Sequence, residues 1–147
     1  MGNRDSRRFR KFYWQQVAEI IKLLEKLVKE SNSDVSIETY LRLCEQLEQE
    51  PDPDKMPLDA SVFPPEVQVA FFVFDLLSDR WDGMSGTYLG KDWSSADFIF
   101  KVYKIEDIEH VTYFAKLYEN ILIKYRAEEA EKKRKASERR AKSQRKS

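Results

Sequence analysis

Four carboxylates crowd one stretch of the chain, Asp75, Asp79, Asp82 and Asp92, and two of them brought together could share acid–base work or hold a divalent cation. No second element of such a site accompanies them. Each also stands where a short acidic side chain caps a helix end or braces a turn, and that is the reading adopted.

His110 is the only histidine and Cys44 the only cysteine, so one chain cannot assemble a Cys/His zinc cluster. A nucleophilic Cys44–His110 pair would need only spatial proximity. Cys44, however, lies on an apolar stripe with Tyr40 and Leu47, which reads as a buried structural thiol, and His110 reads as a surface residue of a helix. A single cysteine forms no intrachain disulfide, which fits a reducing compartment.

Gly83, Gly86 and Gly90 fall within eight residues, between Trp81 and Trp93. A phosphate-binding loop would place Gly, four residues, then Gly-Lys-Ser/Thr. Counting back from Gly90-Lys91 puts Ser85 at the first glycine position, and Asp92 stands where the hydroxyl belongs. An acid there opposes phosphate and leaves no hydroxyl for magnesium. No cofactor or metal is therefore expected, and no constellation names a reaction, so the chain reads as non-enzymatic. What the segment offers is a shaped loop, with Trp81, Met84, Tyr88, Asp92 and Trp93 as candidate partner contacts and Gly83, Gly86 and Gly90 setting the backbone. Phe71, Phe72 and Phe74 belong to a continuous apolar helix and read as core.

The elements that must position this loop are helices. A chain of 147 residues suffices for one domain with a modest core. Apolar residues at three- and four-residue intervals from Phe12 to Glu30 (Trp14, Val17, Ile20, Ile21, Leu24, Leu27, Val28) predict a first helix. Ser31, Asn32 and Ser33 should end it, and Ser36 should cap a second helix whose stripe is Ile37, Tyr40, Leu41, Cys44 and Leu47. A proline-rich linker covers 50–65. A third helix opens near Pro64 and Pro65 and is apolar nearly all round through Leu77, which marks it as central. After the loop at 81–93, with a short strand expected at Thr87 to Leu89, Asp92 or Ser94 caps a fourth helix through Phe98, Ile99, Val102 and Tyr103. Asp107 caps a fifth, whose stripe runs from Ile108 to Tyr125. The expected fold is mainly α: a single-domain bundle of about five helices with a Gly-rich loop and a long projecting C-terminal helix. The divisions are a basic arm at 1–11, a helical domain at 12–126 and a basic helical or disordered tail at 127–147.

Lys plus Arg and Asp plus Glu each number 26, so the net charge is zero, but the signs are segregated. Residues 1–12 carry five basic groups against Asp5, and residues 132–147 carry nine against Glu138, leaving 13–131 with a net charge of −12. The chain reads as an acidic body with basic ends. Lys132, Lys133, Arg134, Lys135, Arg139 and Arg140 could hold nucleic acid by counterion release, or could simply keep a helical tail solvated, and composition leaves both open. There is no signal-peptide run and no span of apolar residues long enough for a bilayer, so a soluble, cytoplasmic protein without a membrane partner is expected.

Between Val67 and Ile105 the order is an aromatic-rich helix, Trp81, a glycine-methionine-glycine turn, and Gly90-Lys91-Asp92-Trp93-Ser94 opening another helix. This resembles small tail assembly chaperones of long-tailed bacteriophages, with Trp81, Gly83, Gly86, Gly90, Asp92 and Trp93 at matching positions. Lys91 stands where that family more often has an apolar residue. The resemblance implies a non-enzymatic role in the host cytoplasm: holding the long helical tape measure protein while tail tube subunits assemble around it. Two other expectations remain, a nucleic-acid-binding accessory protein that uses its basic ends and a small structural virion protein. The oligomeric state is left open by the sequence.

Overall fold

The computed structural model describes residues 3–30, 37–53 and 55–146, with side chains described from Gln16 onward. The protein is mainly α, with five α-helices and one small two-stranded sheet among the described residues. The chain divides into two compact units, 1–68 and 69–147.

In the first unit, helix α1 runs Asn3–Glu30. It begins nine residues before the expected start and takes in the basic run, because Arg and Lys favour helix and neither Gly nor Pro interrupts it. The side chains of Arg4, Arg7, Arg8, Arg10, Lys11 and Trp14 lie outside the described residues, as do the terminating Ser31, Asn32 and Ser33 and the cap Ser36. Val17, Ile20, Leu24 and Val28 are buried, so the predicted stripe is the buried face. Helix α2 (Ile37–Gln46) departs from expectation: Cys44 is buried, but Leu41 and Leu47 are exposed. A helix of ten residues can bury one side only as far as its neighbours cover it, which periodicity does not report.

Helix α2 closes on Glu48, which adopts a left-handed φ of 52°. The Glu48 amide donates to the Glu45 carbonyl at 3.2 Å and the Gln49 amide to that of Cys44 at 2.9 Å, the paired bonds of a Schellman ending. The linker after it is tied down at two points. The Tyr40 hydroxyl accepts from the Asp52 amide at 3.1 Å and donates to the Asp52 carbonyl at 3.3 Å. Glu30 accepts from the Leu58 amide at 2.9 Å. A 3-10 turn, Ala60–Val62, is capped by Asp59, and helix α3 (Pro65–Leu76) starts where its proline lacks an amide the helix would not use.

From Val69 on, α3 belongs to the second unit. It buries Ala70, Val73 and Phe74, with Leu77 following, on one face, and leaves Phe72 and Leu76 about half exposed. Its all-round apolar composition therefore corresponds to one buried face and one open face, and Phe72, expected in the core, lies on the open one. Strand β1 (Asp79–Trp81), in a stretch where no strand is expected from the sequence, pairs antiparallel with β2 (Tyr88–Lys91). The register is Asp79 with Lys91, Arg80 with Gly90 and Trp81 with Tyr88, so Leu89 is the extra residue of a bulge.

Helix α4 (Ala96–Val102) follows a 3-10 turn, Trp93–Ser95, capped by Asp92 through the Ser94 amide. It buries Ala96, Ile99 and Phe100, whereas Phe98, Val102 and Tyr103, expected on its apolar stripe, are exposed. Its end repeats the α2 closure, with Lys104 at φ 51° and the Ile105 amide donating to the Phe100 carbonyl at 3.0 Å. Helix α5 (Ile108–Arg145) starts at the expected cap, Asp107, whose side chain accepts from the His110 amide. It buries Val111, Phe114, Ala115, Glu119 and Leu122, and from Ala130 to Lys146 every residue is exposed. The tail is thus helical to Arg145. Among the described residues no helix is long and apolar enough to cross a membrane.

Candidate functional site

The Gly/Trp segment is a β-hairpin whose second strand lies against α5. Its loop is braced from within. The Asp82 amide donates to the Thr87 carbonyl and the Gly86 amide to that of Asp82, both at 2.8 Å, while the Asp82 carboxylate accepts from the Met84 amide and the Ser85 hydroxyl. The Ser85 bond and the Met84 amide hold the Asp82 carboxyl below the usual carboxylate range. Gly86 has φ +70°, a left-handed turn position that side chains resist.

Behind the hairpin stands Glu119, a carboxylate only 7% exposed. One of its oxygens accepts both the Lys91 amide at 2.9 Å and the Trp93 indole N–H at 2.7 Å, and the other faces Lys116 at 3.4 Å. The Lys116 ammonium also lies 4.3 Å from the centre of the Trp93 ring. A buried carboxylate persists only when paired and hydrogen-bonded in this way. Gly90 makes the approach possible: a Cβ there would sit 3.0 Å from the Glu119 Cδ, and φ is +99°.

The rest of the hairpin is held by cations. Lys91 Nζ pairs with Asp79 at 3.0 Å, donates to the Leu77 carbonyl at 3.1 Å and lies 4.6 Å from the Phe74 ring centre. That gives Lys91 a task within the fold. Tyr88 is buried and donates its hydroxyl to Asp79 at 3.0 Å. Burial and that bond raise its phenol well above the ordinary tyrosine range. Burial alone would raise Asp79, but hydrogen bonds from Lys91 and Tyr88 and the nearby Lys91 and Arg126 charges outweigh it and hold the carboxyl low. The Arg126 guanidinium lies 4.1 Å from the Tyr88 ring centre and 5.4 Å from that of Trp81. Its buried Nη1 has no hydrogen-bond partner among the described residues. The aromatic faces compensate the cation in its place.

The five predicted contact residues divide by placement. Trp81 is 55% exposed and Met84, at the hairpin tip, 97% exposed, and Leu89 joins them at 47%. Tyr88 is enclosed, Trp93 is half-buried with its N–H committed to Glu119, and Asp92 is an exposed cap. Lys132, Lys133, Arg134, Lys135, Arg139 and Arg140 are all exposed on α5. Asp79, Asp82 and Asp92 brace the hairpin and cap the turn, with no acid–base pair among them. Cys44 belongs to the first unit and His110 to the second, where the imidazole Nδ1 lies 2.7 Å from the Asp107 carboxylate. Among the described residues no group of three His, Cys, Asp or Glu side chains converges on one point.

Glu119 and Arg126 are not singled out by the sequence reading. A signal for them exists: Glu119 follows Ala115 by four residues and precedes Leu122 by three, so a charge occupies a stripe position, and Arg126 follows Leu122 by four.

Comparison with known protein families, with characterised proteins and with solved structures returns no match.

Proposed function

We propose that the protein is a non-catalytic binding protein that takes an apolar helical segment of a partner protein against Trp81, Met84 and Leu89. The observation that carries this reading is that three large apolar side chains face solvent on a hairpin whose inner side is fixed by Glu119, Lys91 and Arg126. Rigid presentation lowers the ordering cost of association, and aromatic and methionine side chains supply most of the energy at such contacts.

In its most specific form the partner is the tape measure protein of a long-tailed bacteriophage and the protein is a tail assembly chaperone. That form is supported by the sequence resemblance over 67–105, whose matched Gly90, Asp92 and Trp93 belong to the hairpin brace and the turn after it. The test is co-expression with the tape measure protein of the same genome, followed by pull-down. Wild type should retain the partner, and Trp81→Ala with Met84→Ala should lose it. No complex with wild type sinks the tape measure assignment, and an undiminished complex with the double variant sinks the assigned surface.

A further inference from the structure

The last part of α5 carries charge that the fold does not use. From Ala130 to Lys146 every residue is exposed. The first turns of this stretch compensate themselves: Glu129 pairs with Lys132, Glu131 with Arg134 and Lys135, and Arg134 with Glu138. Glu138 is the last acid in the chain. Lys133, Arg139, Arg140, Lys142, Arg145 and Lys146 form no ion pair among the described residues.

The basic residues are also ordered in space. Lys132, Lys135, Arg139, Lys142 and Lys146 follow one another at intervals of three, four, three and four residues. At 3.6 residues per turn they occupy an arc of about 80° and succeed each other every ~4.5–6 Å along a ~21 Å stripe. The two members of the stripe that have acidic partners, Lys132 at 3.4 Å and Lys135 at 4.0 Å, hold them loosely at the surface, where such pairs exchange readily for a stronger anion.

The occupant follows from what the stripe lacks. Beyond Tyr125 the only apolar side chains are alanines, so there is no face to enter a bilayer and no seam to zip with a second helix. A regular line of cations without an apolar face complements a regular line of anions. A duplex major groove admits an α-helix. We infer that residues 132–146 bind double-stranded nucleic acid, with Lys132, Lys135, Arg139, Lys142 and Lys146 neutralising backbone phosphates without reading base sequence. The net charge of −12 on residues 13–131 gives that stretch no comparable attraction for a polyanion.

The inference stands apart from the hairpin and is tested on the full chain by fluorescence anisotropy, with a labelled DNA duplex of about 24 base pairs between about 50 and 200 mM salt. Wild type should bind with a log–log salt slope of about −3 to −4.5, the value for three to five phosphates neutralised. Replacing Lys132, Lys135, Arg139, Lys142 and Lys146 together by glutamine should weaken binding about 30-fold or more at the lower salt, with helicity retained by circular dichroism. Arg134→Gln with Arg145→Gln, off the stripe, should change it by less than about threefold. A flat salt response, an equal loss in both variants, or tighter binding to phosphatidylserine vesicles or polyglutamate than to the duplex would overturn the inference. Trp81→Ala with Met84→Ala should leave duplex binding unchanged, so failure of either proposal is visible separately.

Discussion

Glu119 accepts the indole N–H of Trp93 at 2.7 Å through the same oxygen that receives the Lys91 amide, so a single buried carboxylate joins the end of the hairpin to α5. Glu119→Ala would strand two donors, each costing about 1–3 kcal/mol when left without a partner. The expected loss is about 2–4 kcal/mol in urea unfolding, and Trp93→Phe, which removes one donor, should cost about 1 kcal/mol. A loss under about 0.5 kcal/mol for Glu119→Ala would show that the carboxylate does not hold the hairpin.

Gly90→Ala tests the same junction from the hairpin side. The added methyl would sit 3.0 Å from the Glu119 Cδ in a backbone conformation, φ +99°, that side chains rarely adopt. A destabilisation of about 1–3 kcal/mol is expected. Combined with Glu119→Ala, the cost should fall below the sum of the two single variants, because the carboxylate is then absent. Simple additivity in that double-mutant cycle would refute the contact.

Two helix ends point the other way. Glu48 and Lys104 occupy left-handed positions where glycine is the usual residue, at φ 52° and 51°. Glu48→Gly and Lys104→Gly should each raise stability by about 0.5–1 kcal/mol, seen as an increase in Tm or in the denaturation midpoint. A decrease in either would mean that the side chain contributes more than its conformational strain costs.

The hairpin also predicts a pH dependence. The Asp79 carboxyl is held below its ordinary value in the folded protein, so its contribution to stability is complete above the unfolded carboxylate range and fades as pH falls through the folded value. The stability difference between wild type and Asp79→Asn should therefore be constant above about pH 5 and shrink below about pH 4. Tyr88 has the opposite sense. Its raised phenol favours the folded state until the unfolded tyrosine ionises, so wild type should lose stability relative to Tyr88→Phe above about pH 10. Urea midpoints measured across the range check both, and a wild-type to Asp79→Asn difference that stays flat to pH 3 would contradict the first.

Much of the architecture is legible before any coordinates. The three- and four-residue spacing from Val17 to Val28 and from Val111 to Leu122 places these residues on the faces that are in fact buried. Pro65 and Asp107 mark the starts of α3 and α5, because a missing amide and a short carboxylate act on the backbone within one turn. The separation of charge into an acidic body and a basic C-terminal run is a property of the order of residues alone, and it underlies the inference about the last turns of α5.

Other features depend on groups far apart in sequence. Periodicity puts Leu41 and Leu47 on the stripe of α2, and Phe98 with Ile99, Val102 and Tyr103 on that of α4. Only the surrounding chain decides that Cys44, Ile99 and Phe100 are covered while Leu41, Leu47, Phe98 and Val102 are not. Strand β1 forms because Asp79, Arg80 and Trp81 find partners about ten residues on, a pairing with little local signal. Trp81 and Trp93 look equivalent as two large rings flanking a glycine loop, yet one faces solvent and the other is tied to Glu119 from 26 residues away. Local chemistry along the chain thus sets where helices start and which faces they offer. Whether a side chain is then a brace or a contact depends on long-range hydrogen bonds and burial, which exist only once distant segments meet.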